Sequence, residues 1–402
     1  MTSKKAVPSG ALDEAAALAV AEASTTHLTF ADLGLAPPML RAIKDAGYRH
    51  PTPIQVQAVP LALKGRDLIG LAQTGTGKTA AFTIPIVERL AGEVGRTRAL
   101  ILTPTRELCQ QVEEMFRKYG RHSELTVIPV YGGVGYEPQT KALRGGVDVV
   151  VATPGRLLDH LERQNVAFDD LEVLVLDEAD RMLDMGFAPQ LNRIVAQLHP
   201  YRQTMLFSAT MPPEVEVLAR KYMRKPVVVQ VGRRSAAAAT VQHFVYPCPK
   251  DKKSALLVEL LTRDDVLDTV LVFTRTKHGA DRVVRHLERA GVQANALHAD
   301  RTQGQRTKAL TDFRKGKLRV LVATDIAQRG LDVTGISHVV NYDVPHQAED
   351  YVHRIGRTGR AAATGDAFTF MCADEIAMVR TIERLLGKPI PRISVAGFDF
   401  GT

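Results

Sequence analysis

Short runs of β-branched and aliphatic residues recur along the chain, each closing on a small or polar loop and each followed by a helical stretch. In the first half the runs are 67–72, 99–103, 126–130, 147–152, 173–176 and 204–207. Unbroken apolar runs of this length fit strands buried on both faces, which is the condition of a parallel sheet covered by helices. The loops that end them are Gln73-Thr74-Gly75, Pro104-Thr105-Arg106, Thr153-Pro154-Gly155, Asp177-Glu178 and Ser208-Ala209-Thr210. Loops at the carboxyl ends of parallel strands are where α/β folds bind ligands, so the repeat is already a site signal. A second series follows at 269–273, 294–298, 320–323, 338–342 and 366–371. Between the two series, Gly232-Arg233-Arg234-Ser235 and the alanines after it break the pattern. The expected organisation is an N-terminal extension over 1–26, a domain over 27–231, a linker over 232–240, a second domain over 241–395 and a tail over 396–402.

A chain of 402 residues suits two domains of ordinary size. With 45% hydrophobic and 24% charged residues it reads as a globular protein rather than a disordered one. The formal charge of +8 favours an anionic partner, without choosing between nucleic acid and a membrane surface. Cys109, Cys248 and Cys372 stand far apart, with no CxxC pair, so neither a zinc site nor a disulfide framework is readable. No apolar run approaches the ~18 residues of a membrane span. A cytoplasmic protein without a membrane partner is expected.

The strongest local signal is Ala72-Gln73-Thr74-Gly75-Thr76-Gly77-Lys78-Thr79, between a strand and a helix. Glycines there let backbone N–H groups turn in around phosphates, and the helix N-terminus adds its positive dipole end. Lys78 is placed for the terminal phosphates and Thr79 for a Mg2+ ion. Ala72 stands where the strict pattern has glycine. Asp177-Glu178-Ala179-Asp180 closes the run Val173-Leu174-Val175-Leu176. A carboxylate at a strand tip is the expected second anchor for Mg2+, here Asp177, which leaves Glu178 to polarise an attacking water. The second half has no phosphate loop of its own but carries a dense basic loop, His353-Arg354-Ile355-Gly356-Arg357-Thr358-Gly359-Arg360.

Asp-Glu-Ala-Asp in this setting resembles the DEAD-box family of superfamily 2 RNA helicases, and the match runs in order from Phe30 to about Arg392. Phe30 and 47–55, including Arg49 and Gln55, resemble the element that reads adenine. After the phosphate loop come Pro104-Thr105-Arg106-Glu107-Leu108, Gly132-Gly133, Thr153-Pro154-Gly155-Arg156, the acidic quartet and Ser208-Ala209-Thr210. The second half offers Val272-Phe273-Thr274-Arg275, Gln303 with Arg306, Ala323-Thr324-Asp325, the stretch from Arg329 to Asp332, and the basic loop. The chain's last helical stretch, 382–386, and Ile390-Pro391-Arg392-Ile393 look most like the bacterial RhlE-like subgroup.

The resemblance implies two tandem RecA-like domains using ATP and Mg2+. It implies that Gln55 meets the adenine edge with Phe30 on its face, and that Asp332 meets the ribose. Arg357 and Arg360 would act as arginine fingers, stabilising charge on the transferring phosphate. RNA contacts would come from Pro104, Thr105, Arg106, Gly132, Gly133, Thr153, Gly155 and Arg156 in the first domain. Thr274, Arg275, Gln303, Arg306, Thr324 and Asp325 would supply them in the second. Hydroxyls, glycine amides and arginines suit phosphates and 2′-hydroxyls rather than bases, so binding independent of sequence follows. Ser208 and Thr210 would link hydrolysis to strand separation.

Departures from the family pattern are Cys109 for alanine, Ala299 for the glycine after His298, and Gln328 for a small residue. The expected activity is RNA-stimulated ATP hydrolysis coupled to domain closure and local, non-processive unwinding by a monomer, with ribonucleoprotein or ribosome-assembly partners left open. The rival is an ATP-gated RNA clamp or remodelling factor, which a strand-displacement assay distinguishes. A translocating DNA helicase and a metabolic kinase fit the motifs less well.

Overall fold

The computed structural model describes residues 28–72, 75–92, 94–231, 241–263, 267–325, 335–358 and 365–400. The chain divides into two compact units, Met1–Val231 and Gly232–Thr402. The expected extension over 1–26 and linker over 232–240 lie outside the described residues.

The first unit opens on a 3-10 turn, Phe30–Leu33, and helices α1 (Pro37–Asp45) and α2 (Pro53–Leu63). Strands and helices then alternate: β1 (Leu68–Leu71), α3 (Lys78–Leu90), β2 (Ala99–Leu102), α4 (Arg106–Tyr119), β3 (Val127–Val130) and α5 (Tyr136–Arg144). Next come β4 (Val149–Ala152), α6 (Pro154–Glu162), β5 (Val173–Leu176), α7 (Ala179–Asp184) and α8 (Ala188–Val195). The unit ends with β6 (Gln203–Ser208), α9 (Pro213–Tyr222) and β7 (Val227–Gln230). The seven strands form one parallel sheet in the order β3-β4-β2-β5-β6-β1-β7.

Period-two alternation sends neighbouring residues to opposite faces. Ala99, Ile101, Val149, Val151, Val173, Val175, Met205 and Phe207 join one apolar cluster. Their neighbours Leu100, Leu102, Val150, Ala152, Leu174, Leu176 and Leu206 join the other. Both faces are therefore core, and a one-residue slip would exchange the two side-chain sets.

Several strands start later than the sequence runs, for a reason visible at the amino edge. Asp67 accepts from Thr204 N–H at 2.7 Å and Arg224 N–H at 2.6 Å. The fully buried Asp148 accepts from Gly95 N–H at 2.8 Å and from the amide and hydroxyl of Thr126 at 2.7 and 2.6 Å. These carboxylates tie neighbouring chain segments together just ahead of the strands.

The second unit runs β8 (Val241–Pro247), α10 (Lys253–Arg263), β9 (Val270–Phe273), α11 (Lys277–Arg289), β10 (Ala294–Leu297), α12 (Gln303–Arg314) and β11 (Val320–Ala323). It continues with β12 (His338–Asn341), α13 (Ala348–Ile355), β13 (Gly365–Met371), a 3-10 turn Ala373–Glu375 and α14 (Ile376–Leu386). Its six described strands are parallel in the order β10-β11-β9-β12-β13-β8. Val270, Val272, Val320, Val322 and Val340 face one cluster, and Leu271, Phe273, Leu321, Ala323 and Val339 face the other.

Packing runs past the expected end of this domain at residue 395. Phe398 and Phe400 pack against the first of these clusters and against each other, and Arg263 donates to the Ala396 carbonyl at 2.6 Å. Two aromatic side chains so close to the chain end bury apolar area that a solvated tail would leave in water. Among the described residues, no helix is long and apolar enough to cross a membrane.

Candidate active site

The carboxyl edge of the first sheet gathers the motif loops because all its strands point the same way. Backbone bonds hold the loop starts side by side: Ala72 N–H donates to the Ser208 carbonyl at 3.1 Å, and Asp177 N–H to that of Leu102 at 2.9 Å. Thr103 N–H donates to the Ala152 carbonyl at 2.9 Å, and Thr153 N–H to that of Val130 at 2.9 Å.

In the phosphate loop, Gln73 and Thr74 lie outside the described residues. Ala72 is buried at the end of β1. Gly75 and Gly77 have φ of 85° and 93°, a left-handed backbone that favours glycine. A Cβ on Gly77 would stand 2.4 Å from Gln55 Nε2 and 2.8 Å from Thr52 Oγ1. Gln55 donates from Nε2 to the Gly77 carbonyl at 3.1 Å and accepts from Thr52 N–H at 3.0 Å. Gln55 therefore ties the start of α2 to the loop and to the start of α3. Phe30 is 5% exposed and packs in the core, while Arg49 stands in solvent.

Lys78 begins α3, and Thr79 follows it on the same first turn. Lys78 Nζ is buried and has no hydrogen-bond partner among the described residues. Leaving a buried ammonium without partners is costly, and an anion at the helix N-terminus removes that cost. Asp177 is 2% exposed at the tip of β5. Burial pushes its carboxyl up to about 7; the Lys78 charge opposes the shift and the Glu178 charge adds to it. A buried carboxylate in that state has the donor chemistry for a divalent cation. Glu178 has φ 51° and ψ 52°, a left-handed conformation uncommon outside glycine, directly at the start of α7.

Asp180, the last member of the quartet, is the residue that the motif reading left without a role. It accepts from the Thr210 hydroxyl at 2.8 Å and from Thr210 N–H at 3.0 Å, while its own N–H donates to Ser208 Oγ at 3.4 Å. The quartet and the Ser208–Thr210 loop are thus one hydrogen-bonded unit. Sequence could offer both motifs but not the bond between them.

Of the residues expected to meet RNA in the first unit, the structure groups Arg106, Gly132, Gly133 and Arg156. A Cβ on Gly133, whose φ is 82°, would fall 1.9 Å from Arg106 Nη1, and one on Gly132 would stand 3.7 Å from Arg106 and 3.9 Å from Arg156. The two glycines are a seat for two guanidinium groups. Gly155 is exposed, but Pro104, Thr105 and Thr153 are buried. The Thr105 hydroxyl caps α4, accepting from Leu108 N–H at 3.3 Å. Arg156 lies over the Tyr136 ring at 5.3 Å and donates to Val134 and Gln139 at 3.4 Å each. Tyr136 in turn stacks on the fully buried His160 with ring centroids 4.2 Å apart. Tyr136, Gln139 and His160 belong to no motif singled out in the sequence. A Tyr/Gln/His set is a common surface composition, so no signal set them apart.

In the second unit, Arg354 is 1% exposed and grips both oxygens of Asp325, at 2.6 and 2.7 Å. It also donates to Asn341 Oδ1 at 3.1 Å and to the Asp343 carbonyl at 2.7 Å. Asp325 thereby faces an arginine of the basic loop rather than open solvent. Thr274 and Thr324 are buried, Gln303 opens α12, and Arg306 is 8% exposed one turn on. Arg357 is 4% exposed. Arg360 and Asp332 lie outside the described residues. Cys109, the departure from alanine, fills a fully buried position and donates to the Val151 carbonyl at 3.0 Å, a small-for-small exchange.

Residues 52–218 match the family model of DEAD/DEAH box helicases, and 252–362 match that of the helicase conserved C-terminal domain. The chain is 42% identical to the DEAD-box ATP-dependent RNA helicase CshA of Bacillus subtilis, covering 92% of this chain and 75% of the relative. It is 45% identical to DEAD-box ATP-dependent RNA helicase 30 of Arabidopsis thaliana over 90% of this chain, spanning 63% of that protein's length. Among solved structures, S. cerevisiae Dbp5 bound to RNA and ADP BeF3 superposes with a TM-score of 0.83 at 31% identity, covering 91% of this chain and 95% of that one. A DEAD box protein from Methanococcus jannaschii is 36% identical with a TM-score of 0.54, covering 91% and 99%. With two parallel sheets flanked by helices, of the tandem RecA-like kind, and with both family models matched, the chain belongs to the DEAD-box family of ATP-dependent RNA helicases.

Proposed function

We propose that this chain hydrolyses ATP when RNA is bound and uses the cycle to open short RNA duplexes locally. The observation that carries the reading is the Lys78 ammonium at the start of α3, buried with no hydrogen-bond partner among the described residues, near enough to the Asp177 carboxyl for its charge to oppose the effect of burial there. Lys78 and the amides of the glycine loop would hold the phosphates, and Gln55 would hold both the loop and the adenine edge. Thr79 and Asp177 would hold Mg2+, which supplies charge neutralisation on the phosphate oxygens. Glu178 would take up the proton of the attacking water, and Arg357 with Arg360 would stabilise the charge that develops on the phosphate. Arg106 and Arg156 on their glycine seat, with Arg275, Gln303 and Arg306, would bind RNA phosphates without reading bases.

The bond from Thr210 to Asp180 joins the nucleotide-side carboxylates to the loop after β6, the link through which hydrolysis would be coupled to unwinding. We also infer, from 382–386 and 390–393, that the chain belongs with the bacterial RhlE-like members. We propose separately that it works in the cytoplasm as a monomer.

The test measures ATP affinity without RNA, then single-turnover hydrolysis with RNA, for Lys78→Ala, Glu178→Gln, Arg357→Ala and Arg360→Ala. Lys78→Ala should lose nucleotide binding. Glu178→Gln should keep binding and lose hydrolysis. The arginine variants should keep affinity and lose turnover, toward the ~10³-fold known for arginine fingers. Normal hydrolysis by both arginine variants would sink the mechanism, and strand displacement absent from an active ATPase would favour the clamp.

A further inference from the structure

At the carboxyl ends of the neighbouring strands β9, β12 and β13, four charged groups that no motif accounts for as a set come together. Lys253, the first residue of α10, is 1% exposed, and its Nζ donates to Glu375 Oε2 at 2.7 Å and to the Tyr342 carbonyl at 2.9 Å. Glu375, 6% exposed at the end of the turn after β13, also accepts at Oε2 from Cys372 N–H at 3.1 Å. Its other oxygen accepts from Val344 N–H at 3.2 Å and from Arg275 Nη2 at 3.0 Å. Asp343 accepts from the Arg275 backbone N–H at 2.8 Å and lies 4.0 Å from Lys253 Nζ.

A buried ion pair of this kind adds little net stability over apolar residues of similar shape, so stability alone does not account for it. Burial by itself would lower the Lys253 pKa, but the hydrogen bond and charge of Glu375 raise it above the ordinary value. Burial would likewise raise Glu375, yet bonds from Cys372 and Lys253 hold it below the carboxylate range. Both groups are therefore charged. Cys372, Asp374 and Glu375 approach closely enough to share a metal ion, but the Glu375 charge is already met by two cations.

The geometry at Arg275 gives the cluster a purpose. Its guanidinium is held by Nη2 alone, to Glu375 at 3.0 Å and to the Val344 carbonyl at 3.5 Å, while the side chain is 38% exposed. Nε and Nη1 have no hydrogen-bond partner among the described residues. A single carboxylate gripping an arginine would both fix it and cancel its attraction for a phosphate. Here the Lys253 ammonium offsets the Glu375 charge from behind, and Asp343 is turned to the Arg275 backbone N–H, so the grip cancels less of the guanidinium's attraction for a phosphate than a lone carboxylate would.

We propose that Glu375 is a positioning residue for RNA: with Lys253 as its buried countercharge, it holds Arg275 with Nε and Nη1 open to a backbone phosphate. The proposal rests on the reading of Arg275 as an RNA contact. Ordering this long side chain in advance should be worth roughly two- to tenfold in affinity, the usual cost of immobilising one at the moment of binding.

The experiment titrates the full chain, with ADP–beryllium fluoride, against fluorescein-labelled single-stranded RNA at several salt concentrations. The variants are Arg275→Ala, Glu375→Gln and the double variant, with circular dichroism to check the fold. Glu375→Gln should weaken RNA binding two- to tenfold and flatten the salt dependence of log Kd by up to the ~0.7 of one single-strand phosphate contact. In the Arg275→Ala background the same change should cost nothing further. Equal losses in both backgrounds, or no loss from Glu375→Gln where Arg275→Ala binds weakly, would overturn the positioning role. Full affinity in Arg275→Ala would instead show that the RNA reading of Arg275 is wrong, and the proposal falls with it. Glu375→Asp keeps the charge but is one methylene shorter, and carries the same test if Glu375→Gln fails to fold.

Discussion

The Thr210 hydroxyl donates to the Asp180 carboxylate at 2.8 Å, thirty residues back along the chain, and the Thr210 amide donates to the same oxygen at 3.0 Å. One carboxylate oxygen thus fixes the loop after β6 against the start of α7. Thr210→Val keeps the amide bond and removes the hydroxyl bond, at a cost of about 1.5–3 kcal/mol for a bond to a charged group. Urea unfolding should read that loss directly. RNA-stimulated ATP hydrolysis should fall by less than strand displacement does, and an equal fall in both would deny the loop its coupling role.

Gly133 sits where a methyl group would fall inside the Arg106 guanidinium, on a left-handed backbone. Gly133→Ala should therefore displace Arg106 and weaken RNA binding roughly tenfold or more, the loss of one charged hydrogen bond. ATP affinity without RNA should stay as it was, since the seat follows β3 and the phosphate loop follows β1, at separate places in the sheet order. Fluorescence anisotropy with labelled RNA checks the first statement and nucleotide titration the second.

Gln55 donates to the Gly77 carbonyl and accepts from Thr52 N–H, and each end of its amide keeps capacity for one further bond. Adenine can use both ends and guanine cannot, so ATP should be hydrolysed well and GTP poorly. Gln55→Ala should weaken ATP binding by about 1–3 kcal/mol, the worth of a bidentate base contact. Comparable turnover of ATP and GTP by the unmodified chain would remove the adenine-reading role and leave only the tether.

His160 is fully buried under Tyr136, and burial, helped by the Arg156 charge, lowers its pKa to about 4. The unfolded chain protonates this histidine near its ordinary 6.5, so between about 6.5 and 4 the unfolded state binds more protons. Stability from this group is complete above 6.5 and is lost as pH falls through that window. His160→Gln should flatten the dependence there by up to about 1.4 kcal/mol per pH unit. Denaturant midpoints at pH 7, 6, 5 and 4.5 make the comparison, and parallel curves would show that His160 is not the group responsible.

The strands with continuous β-branched cores were legible because burial on both faces leaves an unbroken apolar run, as in Val173–Leu176 and Val320–Ala323. β7 and β8 were not. Val227–Gln230 is an edge strand with Val228 in solvent, and Val241–Pro247 alternates buried and open positions beside the break between the two series. The phosphate loop and the acidic quartet read directly because contiguous residues build them. Asp180 with Thr210, Arg354 with Asp325, and Arg275 with Glu375 did not, because each pairing is made by strand order and not by sequence distance. The buried Thr105 shows the converse: its hydroxyl is taken up by a helix cap, which a motif written in letters does not reveal.

Because all the described strands within each sheet run one way, the motif loops collect at one rim, and in the first unit the opposite rim carries braces such as Asp67 and Asp148. That polarity tells an experimenter where to attach a dye. Glu124 and Lys317 are both exposed and lie just ahead of β3 and β11, at the rim remote from the motif loops. Of the native thiols, Cys109 and Cys248 are buried and Cys372 half-buried, so engineered cysteines at 124 and 317 would react first with a maleimide. A donor and acceptor placed there would follow the two units through an ATP cycle while leaving every residue that handles nucleotide or RNA as nature wrote it.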